Sequence, residues 1–491
     1  MTDSLASQAG RALLWTGAGL LAGRLISFLR FLILARLLTP VDFGLLAIAW
    51  VAIEFLLTVT DVGMVTALVQ REEVSERHYD TAWTIGLVRA LLVAAVIVAG
   101  APLIAGFFGE PRAAGILRVL ALGPVLSAAA SIKMAELTRH LEFGKLTMIR
   151  LPEAATEAAV SIALAPLLGV WALVAGVLVA NLVRLALSYR LAPHWPRVSF
   201  SQGAARSLFS FGRWLFVLGI LGLAGEALLR AAISRRLGTA ELGLFYLAVR
   251  LAMLPFTSIE GMIASVGVPV HARLQTDPRR GTRALQTSLV GMLAVLIPGY
   301  AVLVVLAGSL VEEVLGPRWA GAAPVIRVLA VAAAIETMGA ACTPMLFGLG
   351  RPRFVVGLAT LKAVLLVAGA WVLTGVAGVV GAAVAWLIAD AAAAVGWTVG
   401  AARIVVRPLP RLGVQLLAVL AGAAAAALTA FGIDRLLSGA GAVVAAAALA
   451  MGVAAAALWL LDRWLDAGLV DTLGRLFPAV SGRLARGRHS H

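Results

Sequence analysis

Arg36-Leu37-Leu38-Thr39-Pro40-Val41-Asp42-Phe43-Gly44-Leu45 returns 199 residues later as Arg235-Arg236-Leu237-Gly238-Thr239-Ala240-Glu241-Leu242-Gly243-Leu244. Arginine, acid, apolar residue, glycine and leucine recur in register. A second echo follows in the same order. Ile116-Leu117-Arg118-Val119-Leu120-Ala121 reappears as Val325-Ile326-Arg327-Val328-Leu329-Ala330. A short turn precedes each copy, Gly109-Glu110-Pro111-Arg112 in the first and Gly316-Pro317-Arg318 in the second. Two echoes in one order describe a duplicated unit.

The surrounding chain says what is duplicated. Of 491 residues, 61% are hydrophobic and 13% charged, against about 25% charged in soluble proteins. Apolar runs long enough to cross a bilayer, about 20 residues each, recur throughout. Fourteen starts are read, near Ala12, Phe43, Thr81, Ala113, Ile149, Trp171, Leu208, Leu242, Ala284, Ala322, Phe354, Val379, Leu412 and Ala440. The expected fold is an all-α membrane protein of about 14 transmembrane helices. Helices 1–6 (residues 1–200) and 7–12 (201–405) form two pseudo-symmetric six-helix lobes. Helices 13–14 and a basic cytoplasmic tail (406–491) are an appendix. Six is an even number, so both copies insert with one orientation, as parallel transporter repeats do. Two such bundles facing each other imply a central cleft and alternating access. The plainer alternative is two bundles that pack without transporting anything.

The formal charge of +15 marks cytoplasmic loops rather than a nucleic-acid surface. With the N-terminus inside, inward loops and tails hold 25 basic residues and outward loops six, alternating loop by loop. Both termini are therefore expected in the cytoplasm, with the protein multi-pass in the bacterial inner membrane. The first apolar run, Ala12 to Leu38, is interrupted by Arg24 and Arg30 and is too long for a cleaved signal peptide. The single cysteine, Cys342, lies in an apolar stretch and reads as a small core residue.

Nine basic residues fall inside predicted spans: Arg24, Arg30, Arg89, Arg118, Lys133, Arg230, Arg250, Arg327 and Lys362. A charge at the bilayer centre costs about 2.5–3.5 kcal/mol on insertion scales, so such residues face the bundle interior or water and are functional candidates. The first hairpin turns near residue 40, which brings Arg24 level with Glu54 and sets Asp61 nearer the inner side. Glu226 precedes Arg230 by one helical turn, a favourable spacing. Arg30, Arg89 and Arg250 have no obvious local acid. Guanidinium groups keep their charge in a low-dielectric cleft and grip phosphate with two parallel hydrogen bonds. Arg24, Arg30, Arg89, Arg230 and Arg250 are thus the substrate-binding candidates for a phosphate or diphosphate anion. The competing role is bracing between helices. Arg24 and Arg30 are six residues apart and point about 120° apart on an ideal helix, so only their length lets them converge. Arg118, Lys133, Arg327 and Lys362 sit nearer helix ends, where snorkelling accounts for them. Glu54, Asp61, Glu226 and Asp390 are the cleft acids, for pairing or coupling. Asp390, deep in helix 12, leaves ion coupling, a buried pair and a Ser/Thr partner open. Glu153 and Glu157 are read as partners of basic loop residues, with proton coupling as the sharper alternative.

No histidine, cysteine and carboxylate spacing suits a metal, and no cofactor is implied. The single Gly-Lys, Gly144-Lys145, is followed by Leu146, which rules out a Walker A loop. No outward loop is large enough for an enzymatic domain. Transport is the class that remains.

The assembled residues resemble a known group. Arg24 and Arg30, then Ala35 to Gly44, then Asp61-Val62-Gly63 and Ala67-Leu68-Val69-Gln70-Arg71 look like the start of bacterial polysaccharide-biosynthesis flippases. The likeness is to colanic-acid and teichuronic-acid exporters of the polysaccharide transporter family. That family lies in the multidrug/oligosaccharidyl-lipid/polysaccharide flippase superfamily. The resemblance implies a non-enzymatic flippase that moves undecaprenyl-diphosphate-linked oligosaccharide from the inner to the outer leaflet. Its implied partners are the lipid-linked oligosaccharide, membrane lipid, glycan polymerase and glycosyltransferases. The related peptidoglycan-precursor flippase holds its diphosphate with cleft arginines on helices 1 and 8, a role that Arg24, Arg30 and Arg250 match here. Helices 13 and 14 form a lipid-side groove in that relative; their Ala/Gly-rich, almost uncharged faces here fit a polyprenyl tail and equally fit plain lipid contact. The rival readings are a cation-coupled multidrug exporter of the same superfamily and a non-transporting scaffold for glycan-synthesis enzymes.

Overall fold

The computed structural model describes residues 19, 22–61, 63–70, 74–140, 142–199, 213–273, 278–403, 411–465 and 468–469. Among them the regular structure is helical throughout. The first half runs α1 (22–37), α2 (Pro40–Thr60), α3 (Met64–Gln70), α4 (Glu76–Phe108), α5 (Ala113–Leu120), α6 (Leu122–Ala129), α7 (Met134–Arg139), α8 (Phe143–Leu168) and α9 (Val170–Leu191). The second runs α10 (Arg213–Leu237), α11 (Thr239–Arg273), α12 (Pro278–Ser309), α13 (Ala322–Gly348), α14 (Pro352–Ala402), α15 (Leu412–Leu436) and α16 (Ala440–Leu465). Eleven of the described helices are long and apolar enough to cross a membrane.

The fourteen expected segments all have helical counterparts. The first and the seventh, expected from near Ala12 and Leu208, begin outside the described residues. The eleventh and twelfth are the two arms of α14, which leaves helical geometry and turns at Ala377 and Gly378. The fourth is too short to span, because 113–129 divides into α5 and α6 around Ala121. Pro124 explains the division: it has no N–H to return to the carbonyl of Leu120, four residues back. Lys133 consequently lies beyond that helix, in the connection to α7.

The hairpin that opens each repeat is built by helix-start chemistry. Thr39 caps α2, its hydroxyl accepting from the Asp42 N–H while the Asp42 carboxylate accepts from the Thr39 N–H at 2.9 Å. Pro40 occupies the first helical position, where its missing donor costs nothing. The other carboxylate oxygen of Asp42 accepts from the Val170 N–H at 3.2 Å and so ties α2 to the start of α9. In the second copy Gly238 takes a positive φ of 94°, and Thr239 begins α11. The Thr239 hydroxyl donates to Glu110 at 2.6 Å.

The repeated glycines meet one another's helix starts. A Cβ on Gly44 would collide with the Thr239 carbonyl, and one on Gly243 would collide with the Pro40 carbonyl. An offset of 199 makes Pro40 the counterpart of Thr239 and Gly44 that of Gly243. The contact is therefore reciprocal, the pattern of a two-fold interface. A third echo emerges from the backbone. Gly169, between α8 and α9, has φ 55° and ψ −129°; Gly378, at the corner of α14, has φ 58° and ψ −142°. They lie 209 residues apart, the spacing of the Arg118 and Arg327 echo.

Clustered by their contacts, the residues divide into two compact units, Met1–Gly243 and Leu244–His491. In the second, Val290, Leu293 and Ala294 of α12 bury against Ala418 and Val419 of α15 and Leu458 of α16. Small residues make this approach close: Gly422 lies directly against Leu458. Gln286 of α12 donates to Gln415 of α15 at 2.8 Å in the buried interface, so that neither amide is stranded in apolar surroundings.

Candidate functional site

In the first unit the basic residues inside the helices divide by partner. Arg24 is exposed on α1 and makes no ion pair or hydrogen bond among the described residues. Glu54, read as its level partner, is likewise exposed on α2 without one. Arg30 instead forms an ion pair with Glu157 of α8. Arg89 of α4 donates to Asp61 at the end of α2, at 3.2 Å. Arg30 and Arg89, read as having no obvious local acid, find acids across the fold. Both acids come from distant parts of the sequence, which a helix-by-helix reading does not pair. Arg230 and Glu226 join along α10 at 2.6 Å, with the arginine side chain 10% exposed. In the second unit the Arg250 Nε donates to the Tyr246 hydroxyl at 3.2 Å, and the guanidinium lies over that ring.

A cavity of about 420 Å³ lies within the first unit, lined by Trp50, Asp61, Trp83, Arg89, Asn181 and Arg184 among others. Arg184 is one of the 25 basic residues assigned to inward loops and tails by the alternation of charge. It stands inside α9, facing Glu153 of α8 at 3.8 Å. Glu153 and Glu157 thus pair with arginines in helices and not with loop residues. One signal in the sequence pointed here: the 209-residue offset sets Glu153 against Lys362 and Asn181 against Asp390.

At those counterpart positions the second unit holds a cluster that sequence reading divided. Lys362 does not snorkel. Its ammonium lies 2.6 Å from Glu336 of α13 and 2.6 Å from Asp390, further along α14. Asp390 is therefore part of a buried ion pair, the alternative left unranked above, and Glu336 is a member that the sequence reading missed. Cys342 is buried, as expected of a small core residue.

Outside the spans, Arg112 grips Glu110 at 2.8 and 2.9 Å. That guanidinium, aided by the Thr239 hydroxyl and opposed by burial, holds the Glu110 carboxyl down at about 2. No group of three or more His, Cys, Asp or Glu residues is arranged for a metal ion among the described residues.

Solved structures share this all-helical, many-spanning architecture. A lipid II flippase, MurJ, in an inward closed conformation, matches over 92% of this chain and 99% of its own, with a TM-score of 0.72 and 13% identity. An inward-facing multidrug resistance transporter of the MATE family matches 77% of this chain and 94% of its own, with a TM-score of 0.61 and 18% identity. Sequence places the chain more closely. Residues 33–324 match the polysaccharide biosynthesis protein family, and the chain belongs to it. It is 30% identical to the succinoglycan biosynthesis transport protein ExoT of Rhizobium meliloti over 378 residues, 76% of each chain. It is 25% identical to the lipopolysaccharide biosynthesis protein WzxC of Escherichia coli over 324 residues, 64% of each. The teichuronic acid biosynthesis protein TuaB of Bacillus subtilis is 23% identical over 329 residues, 66% of this chain and 68% of its own. The resemblance first read in the opening residues holds, and the protein is a multi-pass bacterial membrane protein.

Proposed function

We propose that this protein is a flippase that carries an undecaprenyl-diphosphate-linked oligosaccharide from the inner to the outer leaflet of the cytoplasmic membrane, by alternating access between its two halves. The observation that carries the reading is the family match over 33–324 together with the likeness to a polysaccharide transport protein over three quarters of the chain. The five arginines are the proposed diphosphate ligands, and Arg24 leads them. A guanidinium exposed on an apolar helix without a carboxylate is free to take an anionic headgroup, with no existing ion pair to break. Arg30 and Arg89 would exchange their acids for phosphate as the headgroup enters, and Arg250 would release the Tyr246 hydroxyl. Both termini face the cytoplasm in this reading, beside the glycosyltransferases that build the substrate; the polymerase that consumes it acts across the membrane.

The test is complementation of a strain lacking its own copy, scored by surface polysaccharide. One charge-assisted contact is worth about 1.5–3 kcal/mol, so Arg24→Ala should weaken headgroup binding roughly tenfold to a hundredfold and cut export sharply. Full export by an Arg24→Ala, Arg30→Ala double variant present at normal levels in the membrane would defeat the assignment.

A further inference from the structure

Glu336, Lys362 and Asp390 bring two carboxylates and one ammonium together inside apolar helices. Lys362 bridges them at 2.6 Å on each side, from one arm of α14 to α13 and to the other arm of α14. The Asp390 side chain is 1% exposed, while Lys362 and Glu336 are 26% and 27% exposed. The charged groups that bear on Lys362 are these two acids, and those that bear on Asp390 are Glu336 and Lys362. Among the described residues the elements around them add neutral groups, the Trp386 indole beside Asp390 and the Tyr300 phenol of α12 beside Glu336. One ammonium balances one carboxylate. The second carboxylate leaves the cluster with a net negative charge among apolar helices, and at Asp390, which is closed to solvent, such a charge is costly without compensation.

We propose that this triad binds one proton. The ammonium holds a monovalent cation's place between the carboxylates. The remaining charge is cancelled when a proton joins a carboxylate oxygen, Glu336 and Asp390 sharing the acid form between them. The site lies between the two arms of α14, several helical turns from the corner at Ala377 and Gly378 that joins them. A change in the spacing of those arms would draw the ammonium towards one acid and release the proton from the other. Its use in driving export rests on the flippase reading; the binding of the proton does not.

The experiment is infrared difference spectroscopy of the full-length protein in lipid nanodiscs, titrated with acid, with carbon-13 in the aspartate or glutamate carboxyls to assign the bands. Wild type should develop a buried carboxylic-acid C=O band. Asp390→Asn and Glu336→Gln should each abolish it, because one carboxylate then balances one ammonium. Lys362→Met should instead double its amplitude, as both acids take protons. The band should be the same in sodium and choline chloride. Absence of any such band from the wild type under either label would overturn the proposal without need of the variants. So would its persistence in both acid variants, or its displacement by sodium. Each of these outcomes leaves the Arg24 export assay unaffected.

Discussion

At the residue scale, what a charged side chain does inside this protein depends on whether it already has a partner. Arg230 and Glu226 form a closed pair on one helix face. Removing the partner of a buried charge strands it, at up to about 3–5 kcal/mol, while removing both is far cheaper, and here the buried member is Arg230, 10% exposed against 31% for Glu226. Glu226→Gln alone should therefore lower the melting temperature below that of the Arg230→Met, Glu226→Gln double variant, as read by thermal unfolding in detergent. Glu110 offers a test by pH. Its folded value of about 2 lies below the ordinary 4.5, so the ion pair with Arg112 contributes fully above about pH 4.5 and fades as pH falls towards 2. Glu110→Gln should cost about 2 kcal/mol near neutrality, and its deficit against wild type should shrink steadily from about pH 4.5 downward.

At the element scale, the hairpin quoted at the outset was legible because its signals are local. Thr39, Pro40 and Asp42 form a helix start within four residues, and Gly44 follows one turn later. What that glycine is for was not legible, since the carbonyl it admits comes from Thr239. A methyl group there must push two backbones apart, an overpacking cost of about 1–3 kcal/mol. Gly44→Ala and Gly243→Ala should each reduce the yield of folded protein in fluorescence-detected size exclusion. Gly452→Ala, on the open face of α16 with nothing nearby, should be neutral or slightly stabilising. The ion pairs of Arg30, Arg89 and Arg184 escaped the sequence for the same reason as the Gly44 contact: each joins helices far apart in the chain. Pro124 was visible all along, yet hydropathy counts it as one neutral position in an apolar run, and so a full span was expected where α5 and α6 divide.

At the scale of the whole molecule, helix number and kind were legible because a bilayer demands long apolar helices, and α14 hid its two passes only from a count of elements. Orientation is the remaining expectation. With Cys342 replaced by serine, the protein offers a cysteine-free background. A cysteine at Pro111 should react with an impermeant maleimide in intact cells, and one at His140 only after permeabilisation; the reverse pattern would invert the topology. The reciprocal contact of Gly44 with Thr239 and Gly243 with Pro40 also speaks to ancestry. Before any gene fusion, a polypeptide of half this length would have carried both the notch and the carbonyl that fills it. Were the halves products of tandem duplication, two identical copies would have docked through that one patch, each offering the notch that the other's carbonyl fills.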